Sequence, residues 1–348
     1  MIHHAIPADL QPLENSSIGA SSPGVDVTTY QTGPKTSRQW QDLILRTYSW
    51  TLALFKSSSD YLEQWERFLW LVGINANPVW IIEPISGRHN GVQCGGISVA
   101  SQTTFPLPVQ SATEVSVFVA DALQASSGYT VHSAANILGD AYAAGAVGTV
   151  NIWTPTGASI DHVCEDVFAS LASSVEITPS AAATCSFVAN NGATVVPNQD
   201  YTATVAIRGT HDCKVTLEWV GDSTIKTTTA VTATTNAWQQ VTVSGTCPAG
   251  VTSAKIGVEI VNPSDTTPIY FDCFSLCPGD LSDWYLPSQS PAIIEFASAP
   301  GADNRVTAHA TGYRMARCRL SKPTHSWSVS SQGHAAPQKW TATEEVWI

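Results

Sequence analysis

One strand pattern in this chain stops and resumes far downstream, and that interruption constrains the fold more than any other feature. Val115, Val117 and Val119 alternate on one face of residues 113–120, and the run breaks at Ala125-Ser126-Ser127-Gly128. A short strand then begins at Tyr129 with no partner nearby in sequence. The partner arrives only in 291–300, where Ile294 and Phe296 alternate ahead of a Pro300-Gly301 turn. Residues 305–319 read as two further strands around Gly312. The pattern is a β-meander interrupted once. Residues 132–290 are therefore expected to be an insert whose two ends lie side by side at a hairpin tip, where chains tolerate insertions.

The fold class follows as mainly β: a small antiparallel β-sandwich or split barrel with one helix, interrupted by an inserted β jelly-roll domain. Only 13% of residues are charged, while 23 Gly and 20 Pro supply turns, as many short strands require. Three regions are expected: an extended polar arm over 1–36, a discontinuous domain over 37–131 and 291–348, and the insert over 132–290. Tyr48, Trp50, Leu52 and Leu54 alternate as on a half-buried strand. The period then changes. Asp60 caps an expected helix over 61–72, with Tyr61, Trp65, Phe68, Leu69 and Val72 on one face and Gly73 ending it. Strands are expected again over 78–85, 92–100 and 340–348.

The insert carries strand patterns over 146–153, 167–177, 183–188, 201–207, 214–220, 239–244, 255–261 and 269–276, a number that suits a jelly roll. It is also acidic. Residues 132–290 hold four basic side chains (Arg208, Lys214, Lys226, Lys255) against fourteen acidic ones, a net of −10 out of the chain's −12. Such a segment repels phosphate backbones and anionic membranes, so neither nucleic-acid binding nor membrane insertion is expected. Residues 1–7 have neither a basic start nor a long apolar core, so no secretory leader is expected.

Six of the eight cysteines (Cys164, Cys185, Cys213, Cys247, Cys273, Cys277) fall in the insert. They read as buried thiols, with disulfides formed outside a reducing cell as the alternative. Spacing selects no pairing. No second Cys or His pair stands at finger spacing from Cys273 and Cys277, which argues against zinc.

The segments Gly128-Tyr129-Thr130-Val131, 293–300, 305–320 and 341–348 resemble the distal tail and minor tail proteins of long-tailed bacteriophages. The resemblance covers about residues 36–131 and 291–348, and rests on strands and turns without a chemical signature. It implies a tail-tip subunit in the virion, made in the host cytoplasm. The implied partners are further copies in a homo-oligomeric ring, a hexamer, and the tail tube, hub and fibre proteins. Arg314, Arg317 and Arg319, close together near one strand, would then meet acidic groups of the next subunit.

The insert strands at 201–205, 214–219, 238–243 and 269–276 resemble a jelly-roll carbohydrate-binding module, which implies contact with host surface glycans. Neutral glycans need exposed rings beside hydrogen-bonding groups, and Tyr142, Trp153, Trp219, Trp238, Asn190 and Gln239 are the candidates. Core packing is the competing explanation for the strand tryptophans, and a turn for Asn190-Asn191-Gly192. The module resemblance also implies a structural calcium at Asp272, to which Asp140, Asp161, Glu165 or Asp166 would contribute. No other cofactor is expected. No nucleophile elbow, zincin motif or complete phosphate loop is present, so no enzyme is expected. The alternative to a tail-tip role is a monomeric carbohydrate-binding protein.

Overall fold

The computed structural model describes residues 17–21, 45–52, 79–139, 142, 150–163, 168, 174–180, 183–221, 225–227, 231–232, 237–320 and 338–344. They are mainly antiparallel β-structure, and no sheet among them closes into a barrel. The expected helix over 61–72 lies outside the described residues.

The chain before the central segment supplies β1 (Ser17–Ser21), β2 (Leu45–Leu52), β3 (Val79–Ile97), β4 (Thr104–Leu107), β5 (Val109–Val119), β6 (Ala122–Leu123) and β7 (Tyr129–His132). The central segment follows with β8 (Trp153–Thr156), β9 (Ala158–Val163), β10 (Ser174–Pro179), β11 (Cys185–Ala189), β12 (Ala193–Thr194), β13 (Asp200–Arg208) and β14 (Asp212–Trp219). It continues with β15 (Ile225–Thr227), β16 (Val231–Thr232), β17 (Gln239–Thr246), β18 (Ser253–Ile260) and β19 (Ile269–Pro278). The chain then returns through β20 (Ala292–Phe296), β21 (Arg305–Leu320) and β22 (Gln338–Glu344).

Pairing sorts these strands by sequence. Among the described residues, β8 to β19 pair only with one another, in a five-stranded sheet β17-β13-β19-β10-β9 and a second sheet along β15-β14-β18-β11-β8. The rest form the sheet β1-β2-β22-β21-β5-β6, with β3 also on β21, and the sheet β4-β20-β7. The strand at Tyr129 does find its partner across the gap: Val131 lies opposite Ile294 and Tyr129 opposite Phe296.

Three expectations need correction. Ser17–Ser21, read as part of an arm, pairs antiparallel with Leu45–Leu52. The two stretches 78–85 and 92–100 are one 19-residue strand, β3. Gly312 does not divide 305–319, and β21 runs straight through it. A Cβ there would lie 2.6 Å from the Gln110 carbonyl oxygen and 2.7 Å from a Val109 methyl, so glycine admits the close approach of β5.

The central strands fold as a jelly-roll-type sandwich because alternate residues of both sheets meet in one core. Val215, Leu217 and Trp219 from one sheet join Ala203, Val205, Ile207 and Phe271 from the other. Phe187 and Phe271 touch edge to face at 5.1 Å, and Trp153 and Phe274 lie at 4.7 Å. Burying each such ring stabilises the fold by about 2–3 kcal/mol. A β-bulge adjusts the period: Cys273 takes a φ of 54°, with Asp272 opposite Ala206 and Ser275 opposite Thr204. The additional residue lets both Phe271 and Phe274 face the core, which strict alternation forbids.

The flanking sheets share a smaller core of Phe105, Val109, Val117, Ile294, Phe296, Val306 and Ala308. Where the central sandwich meets them, Gly279 (φ 67°) brings its Cα against Thr104, whose hydroxyl accepts the Asp280 amide at 3.3 Å. His132 and Glu295 pair at 2.7 Å across β7 and β20.

Candidate functional site

The carbohydrate candidates separate into core and surface. Trp219 is fully buried and Trp153 is 3% exposed, so neither offers a ring face to a ligand. Tyr142 is buried too, edge-on against Trp153 at 5.2 Å, and its hydroxyl accepts the Asn191 amide at 3.1 Å. Asn190 is exposed, but its side chain bonds the Asn151 carbonyl and the Thr154 hydroxyl and so fastens a turn beside the second sheet. Gln239 shares the inward parity of Val241 and Val243. The outward neighbour is Gln240. These five positions are corrections to the expected site: strand parity turns Trp153, Trp219 and Gln239 inward, packing on Trp153 buries Tyr142, and Asn190 is occupied in a turn.

Trp238 alone of the set stands on the outer face of the five-stranded sheet. It is half-buried, packs in a cluster with Ala206, Cys273, Trp284, Phe168 and Leu286, and lies 5.6 Å from the Phe168 ring. The register then assembles a row around it. Ile207 lies opposite Gln239, which puts Arg208 beside Trp238. Arg208 lies opposite Tyr270, Tyr270 opposite Glu176, and Glu176 opposite Asp161. Ile207, Phe271, Val175, Ile177 and Ile160 line the core, so the alternating members Arg208, Tyr270, Glu176 and Asp161 face outward.

Four side chains on four adjacent strands, Arg208, Tyr270, Glu176 and Asp161, thus cross the sheet as cation, aromatic, carboxylate and carboxylate, a span of roughly 14 Å at ordinary strand spacing, and Trp238, just before β17, extends the row at the Arg208 end. The Arg208 guanidinium lies 5.8 Å from the centre of the Tyr270 ring, a cation–π distance that fixes both groups. In the next row of the same parity Gln240 is exposed, whereas Ala206, Asp272 and Ser174 are buried. Arg208, Tyr270, Glu176 and Asp161 were not singled out as a set from the sequence. Each shows the right parity beside apolar neighbours, but the register that unites them is a tertiary property.

Asp272 is 2% exposed beneath this face. Its two carboxylate oxygens accept the amides of Phe168 and Cys273, each at 2.7 Å, which clamps the Phe168 segment onto the bulge. Asp140, Glu165 and Asp166, three of the other expected calcium ligands, lie outside the described residues. Calcium takes six to eight oxygens. Among the described residues no group of three or more His, Cys, Asp or Glu is placed to hold a metal.

The arginines expected at a subunit interface are dispersed. Arg314 pairs within the chain, donating from Nη1 to Glu83 Oε1 at 3.2 Å in a largely buried site. That partner corrects its expected role. Arg317 is half-buried, close enough to Tyr285 to act on its hydroxyl, though burial dominates and pushes that group up. Arg319 is exposed, opposite Thr343. Cys94, Cys185, Cys213, Cys247, Cys273, Cys277 and Cys318 are buried free thiols, and Cys164 lies outside the described residues. Cys185 and Cys213 flank Ile260 from opposite sides, two strand spacings apart, roughly 9–10 Å and too far for a disulfide.

No protein-family model matches the chain, and no curated protein matches it. Among solved structures, a xylan-binding domain from Paenibacillus barcinonensis is similar over 44% of this chain and 95% of its own, at 15% identity and a TM-score of 0.31. A family 16 carbohydrate binding module is similar over 34% of this chain and 86% of its own, at 16% identity and a TM-score of 0.28. The enzymatically active domain of tailspike protein 4 from bacteriophage CBA120 is similar over 41% of this chain at 13% identity and a TM-score of 0.33. The match spans 21% of that tailspike domain.

Proposed function

We propose that this chain is a carbohydrate-binding β-protein whose central sandwich takes a glycan along the row Trp238, Arg208, Tyr270, Glu176 and Asp161. The observation that carries the reading is the row itself. Sugars present flat C–H faces and many hydroxyls, so they are held by aromatic rings interleaved with fixed polar groups. Here the rings of Trp238 and Tyr270 alternate with charged groups, and a row crossing four strands and extended by Trp238 fits an extended chain of sugars better than a single one.

The proposal is binding without turnover, as a subunit of a phage tail tip. The tail-tip part rests on the resemblance of the flanking segments to distal tail proteins. The strand pairing supports an inserted module, since His132 lies opposite Ile293 and the two ends of the central segment are neighbours. In a homo-oligomeric ring built from the flanking sheets, each sandwich would present its face outward, and several weak sites would act together by avidity. Arg319, exposed on β21, would lie at the contact with the next copy or with tube, hub and fibre proteins.

The test of the binding face is titration calorimetry of the full chain against oligosaccharides, with Trp238→Ala and Tyr270→Ala beside it. A loss of about tenfold or more in affinity in both variants, with only a small fall in thermal stability, is expected from removing a central aromatic contact. Unchanged affinity would overturn the assignment of the face. The assembly part is read separately by negative-stain microscopy, where closed rings with peripheral knobs are expected and dispersed single particles favour a monomeric carbohydrate-binding protein.

A further inference from the structure

The two sheets of the central sandwich treat their charges differently. On the second sheet, opposite signs face each other: Lys214 and Glu259 approach to 3.8 Å across β14 and β18, and Lys255 lies opposite Glu218 on the same pair. Lys226 is also on that sheet, in β15. Three of the four basic residues between 132 and 290 are thus placed there. On the five-stranded sheet, Glu176 and Asp161 lie directly opposite one another, and among the described residues no basic side chain lies opposite either.

Like charges at directly opposed positions of an antiparallel pair destabilise it, because the Cβ atoms stand only about 5 Å apart. Glu176 is half-buried as well, so solvent screens it less than Asp161. The one cation of the row, Arg208, is already committed over the Tyr270 ring on the far side of Glu176. The carboxylate pair therefore forms an anionic end to a row whose other end is aromatic. A ligand whose sugar rings lie on Tyr270 and Trp238 would bring its next substituent against these two carboxylates.

We infer that the face selects glycans with free amino groups and rejects those bearing uronate or phosphate. This rests on the glycan-binding reading of the row. An ammonium substituent would lie between Glu176 and Asp161 and relieve their repulsion, whereas a carboxylate or phosphate would add to it within a segment of net charge −10.

The probes are a glucosamine hexamer, its fully N-acetylated counterpart and a galacturonate hexamer, each titrated into the full chain at one pH and at low and high salt. The glucosamine hexamer should bind about tenfold more tightly than the N-acetylated one, as two carboxylates acting on one ammonium imply. The preference should shrink in high salt and vanish in the Glu176→Gln/Asp161→Asn double variant. Equal binding of the two hexamers, or tighter binding of galacturonate, overturns the inference. The two readings fail differently. If all three probes bind with no charge preference and Tyr270→Ala still weakens them, the selectivity fails and the glycan face stands. If none binds, or if Tyr270→Ala leaves binding unchanged, both fail.

Discussion

The Asn136 side-chain amide donates to the backbone carbonyl of Tyr285 at 2.9 Å, joining the segment that leads into the central sandwich to the one that leads out of it. The same amide also donates to the Phe274 carbonyl at 3.3 Å, and its oxygen accepts the amides of Leu138 and Leu276, each at 3.2 Å. With Ile137 donating to the Leu276 carbonyl at 2.9 Å, these residues complete the open side of β19 beyond the point where β10 stops pairing. One buried side chain thus satisfies backbone groups of three segments.

Replacing Asn136 with Ala leaves those buried groups unsatisfied and should destabilise the fold by about 3 kcal/mol. Urea unfolding should show a lower midpoint with an unchanged slope. A loss below about 0.5 kcal/mol would show that this clamp contributes little.

Trp219 and Trp238 should respond oppositely. Trp219→Ala empties a fully buried site and should cost about 3–5 kcal/mol, read as a fall in the melting temperature. Trp238→Ala removes a half-buried ring at the edge of a satellite cluster and should cost much less stability while weakening glycan binding. Reversal of the two effects would contradict the assignment of core and face.

The contrast shows where sequence is informative. Val215, Leu217 and Trp219 alternate with Lys214, Thr216 and Glu218, so the burial of Trp219 is written in local parity. Tyr201, Ala203, Val205 and Ile207 mark their strand in the same way, and the interrupted meander identifies β7 and β20 as partners. The row at Tyr270 is different. It depends on Glu176 meeting both Tyr270 and Asp161, and long connections rather than local pattern set that register. β9 carries three polar residues, Ser159, Asp161 and His162, among six, so its strand signal is weak and the Glu176 neighbour went unseen. A glycine that admits a neighbouring strand and one that makes a turn look alike in sequence, so Gly312 does not reveal its role locally.

Relief of the opposed carboxylates should be measurable without any ligand. Glu176→Gln is expected to stabilise the protein by about 0.5 kcal/mol, the scale of a cross-strand charge pair, and the gain should fade at high salt. Destabilisation by the same amount would imply that Glu176 is already compensated.

Burial pushes the thiols of Cys213 and Cys277 up to about 12. A folded-state value above the unfolded one, near 9, means that the folded protein holds its proton longer. Stability should be indifferent to these groups below pH 9, then fall as pH rises from 9 toward 12. The urea midpoint between pH 7 and 10.5 checks this, and replacing both residues with Ala should flatten the alkaline decline. An unchanged slope would assign the decline to other groups.

The central claim is that the outer face of the β17-β13-β19-β10-β9 sheet is the ligand site, and titration of the full chain and of Tyr270→Ala with the same oligosaccharide tests it most directly. The account predicts measurable binding by the native chain and a loss of about tenfold or more in the variant, with only a small fall in melting temperature. Equal affinity in the two proteins would contradict it.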